Sequence, residues 1–485
     1  MILSLNSHYV IRNELGCSYL IRRKTSSDTM EDNISGSVIL LPPVFGFILG
    51  QLGQSEIGED LDRISKEINV RSESLKTFIL QLTSSNEKKM KIGNSSITFP
   101  PHLIVERSDA IAVPNYQTKM DFTSCDIVYK RPDAPTTMNI MVTTKCSTDC
   151  SYCYAKRCFS YEMSSEEICD IISECHSIGV INLSLTGGDI FAKKGWQLIL
   201  KKCKECDYVP FLSTKTPLSE SSLLFLQQLG YTNFQFSLDS SDAEILCPLL
   251  SVKESYLASV DNMLSYADQF GFSISIRTVL TRQTVSEKSI KGLHVFLSRH
   301  DCIKDWIVTP AFFSEFKEEY TDYEVSNDAL KTAYSLLTNI KSRFPILFNK
   351  IANDGYRLKR YGSTREFASC NQKCNANTFS MSILPSGKCT ICEMLYEKDE
   401  FCIGNVLEDS ILNIWNSKKA LKLYMPNQQD MAPASPCHSC GVFNSCKACM
   451  TKRICYVDIA KTHQGDCLSL PDPRCPKAET VNVIL

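Results

Sequence analysis

The sequence predicts an α/β protein: a partial (β/α)6 TIM-like barrel between an N-terminal winged-helix-like domain and a C-terminal cysteine-rich domain. Three observations predict it. Strand-like and helix-like patterns alternate from about residue 135 to residue 315. Strand-like runs followed by short amphipathic helices fill residues 1–105. Twelve of the 24 cysteines crowd into residues 370–485, whereas residues 1–140 hold only Cys17 and Cys125. A chain of 485 residues is too long for one ordinary domain. The pattern divides it into 1–105, a bridging segment 106–134, a barrel over 135–320, a helical connection 321–369 and the cysteine-rich domain 370–485.

In the first domain, HYVIRNEL and CSYLIRR read as strands. SVILLPPVFGFILGQL comes next. EIGEDLDRISKEINV and SESLKTFILQL carry apolar residues at helical spacing, with Ser72 or Ser74 placed to cap the second helix. KMKIGNSSITF reads as a hairpin turning at Gly93-Asn94. No cluster of catalytic residue types falls here, so the pattern by itself also suits a structural cap.

In the barrel, the strand candidates are MNIMVTT, INLSLTGGD, YVPFLSTK, NFQFSLD, FSISIRTVLT and DWIVTPAF. Helical patterns such as SSEEICDIISECHSIG, GWQLILKKCKEC and SESSLLFLQQLG separate them. Apolar strands alternating with helices imply a parallel sheet covered by helices. In such barrels the chemistry sits at the carboxyl ends of the strands. Cys146 follows the first strand and Gly187, Gly188 and Asp189 end the second. Ser213 and Thr214 end the third; Ser237 and Asp239 end the fourth. The polar and liganding residues thus fall at one rim.

Net charge is −2 and the isoelectric point about 6.4, with no long basic run, which disfavours nucleic acid as a partner. No apolar stretch approaches the length of a membrane span. The first residues lack a basic region followed by a hydrophobic core, so neither a signal peptide nor a membrane partner is expected, and a cytoplasmic location is. A reducing cytosol does not favour disulfides on this scale; metal binding explains the cysteines better. Burial as small apolar side chains accounts for others, among them Cys158, Cys203, Cys206 and Cys455.

Cys146, Cys150 and Cys153 stand at CxxxCxxC spacing directly after the first strand, with Tyr152 before the last. A closed zinc site takes four protein ligands, and so does a closed four-iron cluster. Three thiolates on one loop leave one iron open. A three-cysteine zinc site would want a histidine nearby, and the nearest, His176, is separated from the loop by the next helical pattern.

This motif, in this place, resembles the radical S-adenosylmethionine superfamily. The resemblance implies that Cys146, Cys150 and Cys153 hold a [4Fe-4S] cluster whose open iron is chelated by S-adenosylmethionine, and that cleavage of the cofactor yields a 5'-deoxyadenosyl radical that takes a hydrogen atom from the substrate. TGGD at 186–189 resembles the family's GGE stretch, which implies cofactor contacts at Gly187, Gly188 and Asp189, although this sequence has Asp where Glu is usual. FSLD at 236–239 resembles the strand near the ribose, implying contacts from Ser237 and Asp239. Arg277 matches an arginine that meets the cofactor carboxylate. Tyr152 and Ser213 complete the expected cofactor-binding set.

The run CHSCGVFNSCKAC at 437–449, with Cys374, Gly387 and Cys392 upstream and PDPRCP downstream, resembles the SPASM domain. That resemblance implies two auxiliary [4Fe-4S] clusters with interleaved ligands, making three clusters in all. One set is Cys370, Cys374, Cys392 and Cys449; the other is Cys437, Cys440, Cys446 and Cys475, with Cys467 as the rival for the last position. The family pattern commonly has three residues before the fourth cysteine of the central run; here there are two, between Cys446 and Cys449.

SPASM enzymes mostly modify peptides or proteins, and the N-terminal domain resembles in architecture the recognition element of enzymes that tailor ribosomally made peptides. The implied function is a precursor-peptide maturase installing a thioether or carbon–carbon cross-link, with the leader held by residues 1–105 and with electrons from a donor such as flavodoxin or ferredoxin. An anaerobic sulfatase-type maturase and a peptide epimerase are the enzymatic alternatives; a zinc-binding interaction protein is the non-enzymatic one.

Overall fold

The computed structural model describes residues 1–25, 38–92, 95–109, 124–153, 155, 161–311, 320–348, 360–369, 374–396, 398–449, 454–462 and 466–479. The chain forms two compact units: Met1–Thr25, Glu31–Thr137 and Ile178–Asn182 in the first, and Ser26–Met30, Met138–Ser177 and Leu183–Leu485 in the second.

The first unit contains β1 (Ile2–Leu5), β2 (Tyr9–Glu14), β3 (Cys17–Arg22), β4 (Val38–Leu41), α1 (Pro43–Gln51), α2 (Ile57–Ile68), α3 (Ser72–Gln81), β5 (Lys88–Ile92), β6 (Ser95–Phe99) and β7 (Ile104–Arg107). β2, β3 and β4 form an antiparallel sheet in that order; β5 pairs with β6 and β1 with β7. Leu61, Ile64 and Ile68 recur at helical spacing on α2 and are buried. They join Leu20, Leu41, Leu49, Ile79 and Phe99 in one core. α2 ends at Asn69, whose left-handed φ of 53° an asparagine tolerates. Neither serine caps α3: Ser72 is already its first residue, the N-cap position is Arg71, and no side chain bonds there. The Gly93-Asn94 turn lies outside the described residues.

A buried ion network ties the sheet of this unit to residues 130–134. The Glu14 carboxylate lies 3.0 Å from Arg12 Nε and 3.2 Å from Lys130 Nζ, and accepts the Asp133 amide. Arg12 also donates to the Ala134 carbonyl. Burial pushes the Glu14 carboxyl up, and Arg12 opposes that push.

The second unit carries the barrel. Its elements are β8 (Thr137–Thr143), α4 (Ser165–Ser177), β9 (Asn182–Gly187), α5 (Trp196–Glu205), β10 (Ser213–Thr214), α6 (Glu220–Leu229), β11 (Asn233–Ser237), α7 (Ala243–Leu250), α8 (Ser255–Phe270), β12 (Ser273–Leu280), α9 (Glu287–Leu297) and β13 (Ile303–Pro310). β10 to β13 pair in parallel, in sequence order. A parallel bridge between Ser184 and Phe211 joins β9 to the approach to β10, and β8 is the other neighbour of β9. Residues suited to helix ends bound α6: the Ser219 side chain accepts the Ser222 amide at its start, and Gly230 ends it at φ 79°.

Two details depart from the sequence reading. YVPFLSTK yields a strand of only two residues, because Pro210 has no amide hydrogen to give to a ladder. A seventh parallel strand, β14 (Ile346–Phe348), follows α10 (Tyr320–Tyr323) and α11 (Asn327–Asn339) and pairs with β13, inside the stretch read as a helical connection. Strands β15 (Ser380–Ile383), β16 (Lys388–Thr390) and β17 (Cys402–Asn405) then extend the barrel sheet, in the order β17-β16-β15-β8-β9. Among the described residues no helix is long and apolar enough to cross a membrane.

Arg12→Met leaves Glu14 buried without its closest cation. We expect a loss of about 3–5 kcal/mol in the stability of the first unit, measured by denaturant unfolding of the full chain. A loss within 0.5 kcal/mol, the size of an ordinary surface substitution, would show that Lys130 alone suffices.

Candidate active site

The cysteine loop leaves β8 under tight control. Glu162 accepts hydrogen bonds from the Thr144 amide at 2.7 Å, the Thr144 hydroxyl at 2.7 Å and the Thr143 hydroxyl at 3.0 Å. Further along, the Asp149 and Ser151 amides donate to the Leu250 and Leu249 carbonyls at the end of α7. Cys146, Cys150 and Cys153 line one cavity of about 360 Å³ at the carboxyl rim of the strands.

The turn after β9 presses against this loop. Gly187 has φ 123°, and a Cβ there would stand 2.2 Å from the Thr143 carbonyl oxygen. A Cβ on Gly188 would stand 2.2 Å from the Lys145 carbonyl oxygen. The glycines let two backbone segments touch: the Gly188 amide donates to Thr143 and the Asp189 amide to Lys145, at 2.7 and 2.8 Å. Asp189 is 4 % exposed and lines the cavity. Its carboxylate accepts five hydrogen bonds: from the Phe191, Lys215 and Thr216 amides and from the Thr214 and Thr216 hydroxyls. It therefore holds the end of β10 against the end of β9.

Ser213, Thr214, Ser237, Arg277 and Tyr152 also line the cavity; Asp239 is not among the lining residues. Asp239 lies behind them, 1 % exposed, and accepts from the Tyr152 hydroxyl, from Lys215 Nζ at 2.8 Å and from the Val279 amide at 2.9 Å. Burial lowers the Lys215 pKa, but Asp239 and then the Cys150 thiol outweigh it, so the net shift is upward and the ammonium persists. Burial, with Asp239 added, raises Tyr152 well above the usual phenol range and keeps it a donor.

Four residues of this site carry no motif and were not singled out from the sequence. Lys215 lines the cavity as its ammonium. Glu162 pins the loop. Gln235 donates from Nε2 to the Ser213 and Ser237 hydroxyls at 2.7 and 3.3 Å. Glu393, from the cysteine-rich region, enters the cavity wall and accepts from the Thr186 hydroxyl at 2.8 Å. Burial pushes its carboxyl up, and Thr186 offsets part of that push. Lys215 and Gln235 sit on or beside β10 and β11 at the rim, which was the available clue.

The residues fit the groups the motif implies. The three thiols face one cavity wall, and Gln235 Oε1 is buried there with no hydrogen-bond partner, an acceptor in wait of a ligand donor. Lys215 offers a cation for a carboxylate.

The C-terminal thiols also gather. Cys437, Cys440, Cys446 and Cys475 line one small cavity of about 20 Å³. Gln428 Nε2 bonds the Cys437 and Cys440 carbonyls at 3.1 and 3.0 Å and fixes that loop. Cys467 does not line that cavity; it lies beside Glu400. Cys392 opens the 3-10 turn Glu393–Leu395. Cys374 and Cys449 are partly exposed, and Cys370 lies outside the described residues, as does Cys158.

Asp189→Ala strips the acceptor from five donors. We expect a stability loss of at least about 2–3 kcal/mol, together with S-adenosylmethionine affinity weakened roughly ten- to a hundred-fold through displacement of the β10 end. Calorimetry of both quantities checks this, and an unchanged melting curve would refute the tethering role. Gln235→Leu removes the waiting acceptor and both serine anchors. Cofactor affinity should fall roughly ten-fold, about 1.4 kcal/mol, in an equilibrium binding titration.

Comparison with known proteins agrees with this geometry. The radical SAM superfamily matches residues 140–290, and the SPASM iron–sulfur cluster-binding domain matches residues 374–441. The antilisterial bacteriocin subtilosin biosynthesis protein AlbA of Bacillus subtilis (strain 168) is 23% identical over 332 residues, which are 64% of this chain and 66% of that protein. The sporulation killing factor maturation protein SkfB of the same strain is 28% identical over 111 residues, 22% of this chain and 27% of that protein. The fold is shared with Streptococcus suis SuiB bound to the precursor peptide SuiA, at a TM-score of 0.62 and 16% identity, over 98% of this chain and 100% of that one. The three-cysteine loop on the barrel rim thus falls within the match to the radical SAM superfamily, and the C-terminal cysteine-rich region carries the match to the SPASM iron–sulfur cluster-binding domain.

Proposed function

We propose that the chain is a maturase that installs an intramolecular cross-link, thioether or carbon–carbon, in a ribosomally made precursor peptide. The observation that carries the reading is the full-length match in fold to SuiB, which has been solved with a precursor peptide bound. The sequence likeness to AlbA and SkfB, both named for bacteriocin or killing-factor biosynthesis, points the same way.

Cys146, Cys150 and Cys153 would hold the first cluster, with Cys437, Cys440, Cys446 and Cys475 holding a second and the remaining C-terminal cysteines a third. When bound, the clusters and S-adenosylmethionine supply the hydrogen-abstracting radical and the path for the electron released as the cross-link closes. The protein's own part is placement. Tyr152 is held by Asp239, Lys215 presents its ammonium to the cavity, and Gln235 orients Ser213 and Ser237. Met141, Leu185, Ile190, Phe211 and Val279 give the cavity an apolar wall that keeps water from the reacting centre.

The first unit supplies the leader clamp in this reading. In the three-stranded sheet β2-β3-β4, β2 and β4 are the outer strands among the described residues, and an extended peptide adds to an outer strand by main-chain pairing. A flexible leader must order on binding, so affinity on the order of micromolar is expected. Flavodoxin or ferredoxin is the expected electron donor.

The test is anaerobic reconstitution with the short peptide encoded nearest the gene. We expect a peptide product lighter by two hydrogens, with a cross-link located by fragmentation. A product of unchanged mass carrying an inverted residue would make the enzyme an epimerase, and modification of a folded protein substrate instead would make it a sulfatase-type maturase. Changing Cys146, Cys150 and Cys153 together to Ala should abolish 5'-deoxyadenosine formation and leave the other iron in place. Continued formation in that variant would refute the role given to the loop.

A further inference from the structure

Cys437, Cys440, Cys446 and Cys475 surround the small cavity. Cys374, Cys392 and Cys455 do not line it. Cys455 stands directly before the helix Tyr456–Thr462, just as Cys392 stands directly before the turn Glu393–Leu395. That helix and that turn pack on each other. The Tyr456 ring, at the head of the helix, lies 5.1 Å from the Phe401 ring. Residues 392 and 455 thus each lead into one of two elements in contact. Beyond burial and Asp458, the groups that weigh on the Cys455 thiol are those of Cys374 and Cys392. No family pattern marks Cys455, and as a small buried side chain it would need no further role.

We propose that Cys455 is a ligand of the auxiliary iron–sulfur cluster held by Cys374 and Cys392. The position was open to competition. Cys449 follows Cys446 after two residues, one fewer than the family pattern commonly has. A ligand from Cys455 would also bolt the helix that Arg474 braces through Asp458, at 2.7 Å, to the turn that puts Glu393 into the active-site cavity. The assignment rests on the reading that this domain carries auxiliary clusters.

The test uses the full chain with Cys146, Cys150 and Cys153 changed to Ala, so that only auxiliary iron is counted. Among the described residues no three thiols stand at single-ion distances, so the measurement must be made on the reconstituted protein. This parent should bind about eight irons in two four-iron clusters. Adding C455A should lower the count to about four, or leave a three-iron cluster with its own electron paramagnetic resonance signal. Adding C449A instead should leave about eight. C455S guards against a folding defect: a serine ligand keeps iron but shifts the resonance and lowers the reduction potential, whereas serine at a packing position changes neither. Full iron with an unaltered resonance and potential in both C455A and C455S would overturn the proposal. So would iron loss in C449A with none in C455A. A parent with no auxiliary iron would overturn the cluster reading itself, and it would do so before any Cys455 variant is made.

Discussion

The Asp189 carboxylate gathers the hydroxyls of Thr214 and Thr216 and the amides of Lys215 and Thr216, while its own amide donates to Lys145. Three strand ends meet at this one residue. The cysteine loop begins at Lys145, the turn after β9 contains Asp189, and β10 ends at Thr214. β10 is too short to be held by its ladder, so its end depends on this side chain. The contact requires that the turn lie flat against the loop, which is why no Cβ can be added at Gly187 or Gly188. A glutamate would carry its carboxylate one methylene further; the aspartate reaches the β10 end at 2.6 Å from the Thr214 hydroxyl. The glycine pair and the acid that follows therefore act first on the protein's own backbone, and the shape of the cavity follows from that contact.

The second constraint is electrostatic. Lys215 and Asp239 form an ion pair almost out of water, with side-chain exposures of 17% and 0%. Such a pair gains little net stability over an apolar pair, because both charges lose hydration. What it supplies is placement. Asp239 shares its oxygens among Tyr152 on the cysteine loop, Lys215 just past β10 and Val279 on β12, and so sets where a phenol and an ammonium stand relative to the cysteines. Removing either charge would strand the other, which makes the arrangement rigid.

Much of this site was legible in the sequence, and the limits are physical. Cysteine spacing, paired glycines and the acid after them are read directly, because covalent spacing sets which side chains share a loop. The barrel is legible because each strand is a solid apolar run. Lys215, Glu162 and Glu393 are not, since a single charged residue in a sequence looks the same whether it faces solvent or a cavity. Gln235 is hidden within an apolar strand whose inward and outward faces cannot be assigned from periodicity when both are buried. β14 was missed because three residues are too few for a period, and it exists only because β13 offers an edge. Ser72 looked like a cap, yet the helix began at it, and boundaries one residue apart decide such cases. Asp239, expected at the rim, serves its neighbours from behind the residues that line the cavity.

The cysteine-rich domain is part of the active site's construction. Its strands β15–β17 continue the sheet beyond β8, the strand that leads into the cysteine loop. The hydroxyl of Ser382, on β15, lies 3.5 Å from the Asn139 side chain on β8. Tyr396 and Leu384 pack with Met141 in one apolar cluster, and both Tyr396 and Met141 line the cavity. Glu393 bonds Thr186 one residue before the glycine pair. Each link joins a residue of the stretch 382–396, which contains Cys392, to β8 or the end of β9. Loss of metal from the thiols that fold this domain would therefore loosen the cavity wall directly, because ordering of a cysteine-rich loop and binding of its metal are one free-energy change. The barrel supplies the three-cysteine loop and the strand ends, and the C-terminal domain adds Glu393 and Tyr396 to the lining of the same cavity, so neither builds the cavity alone.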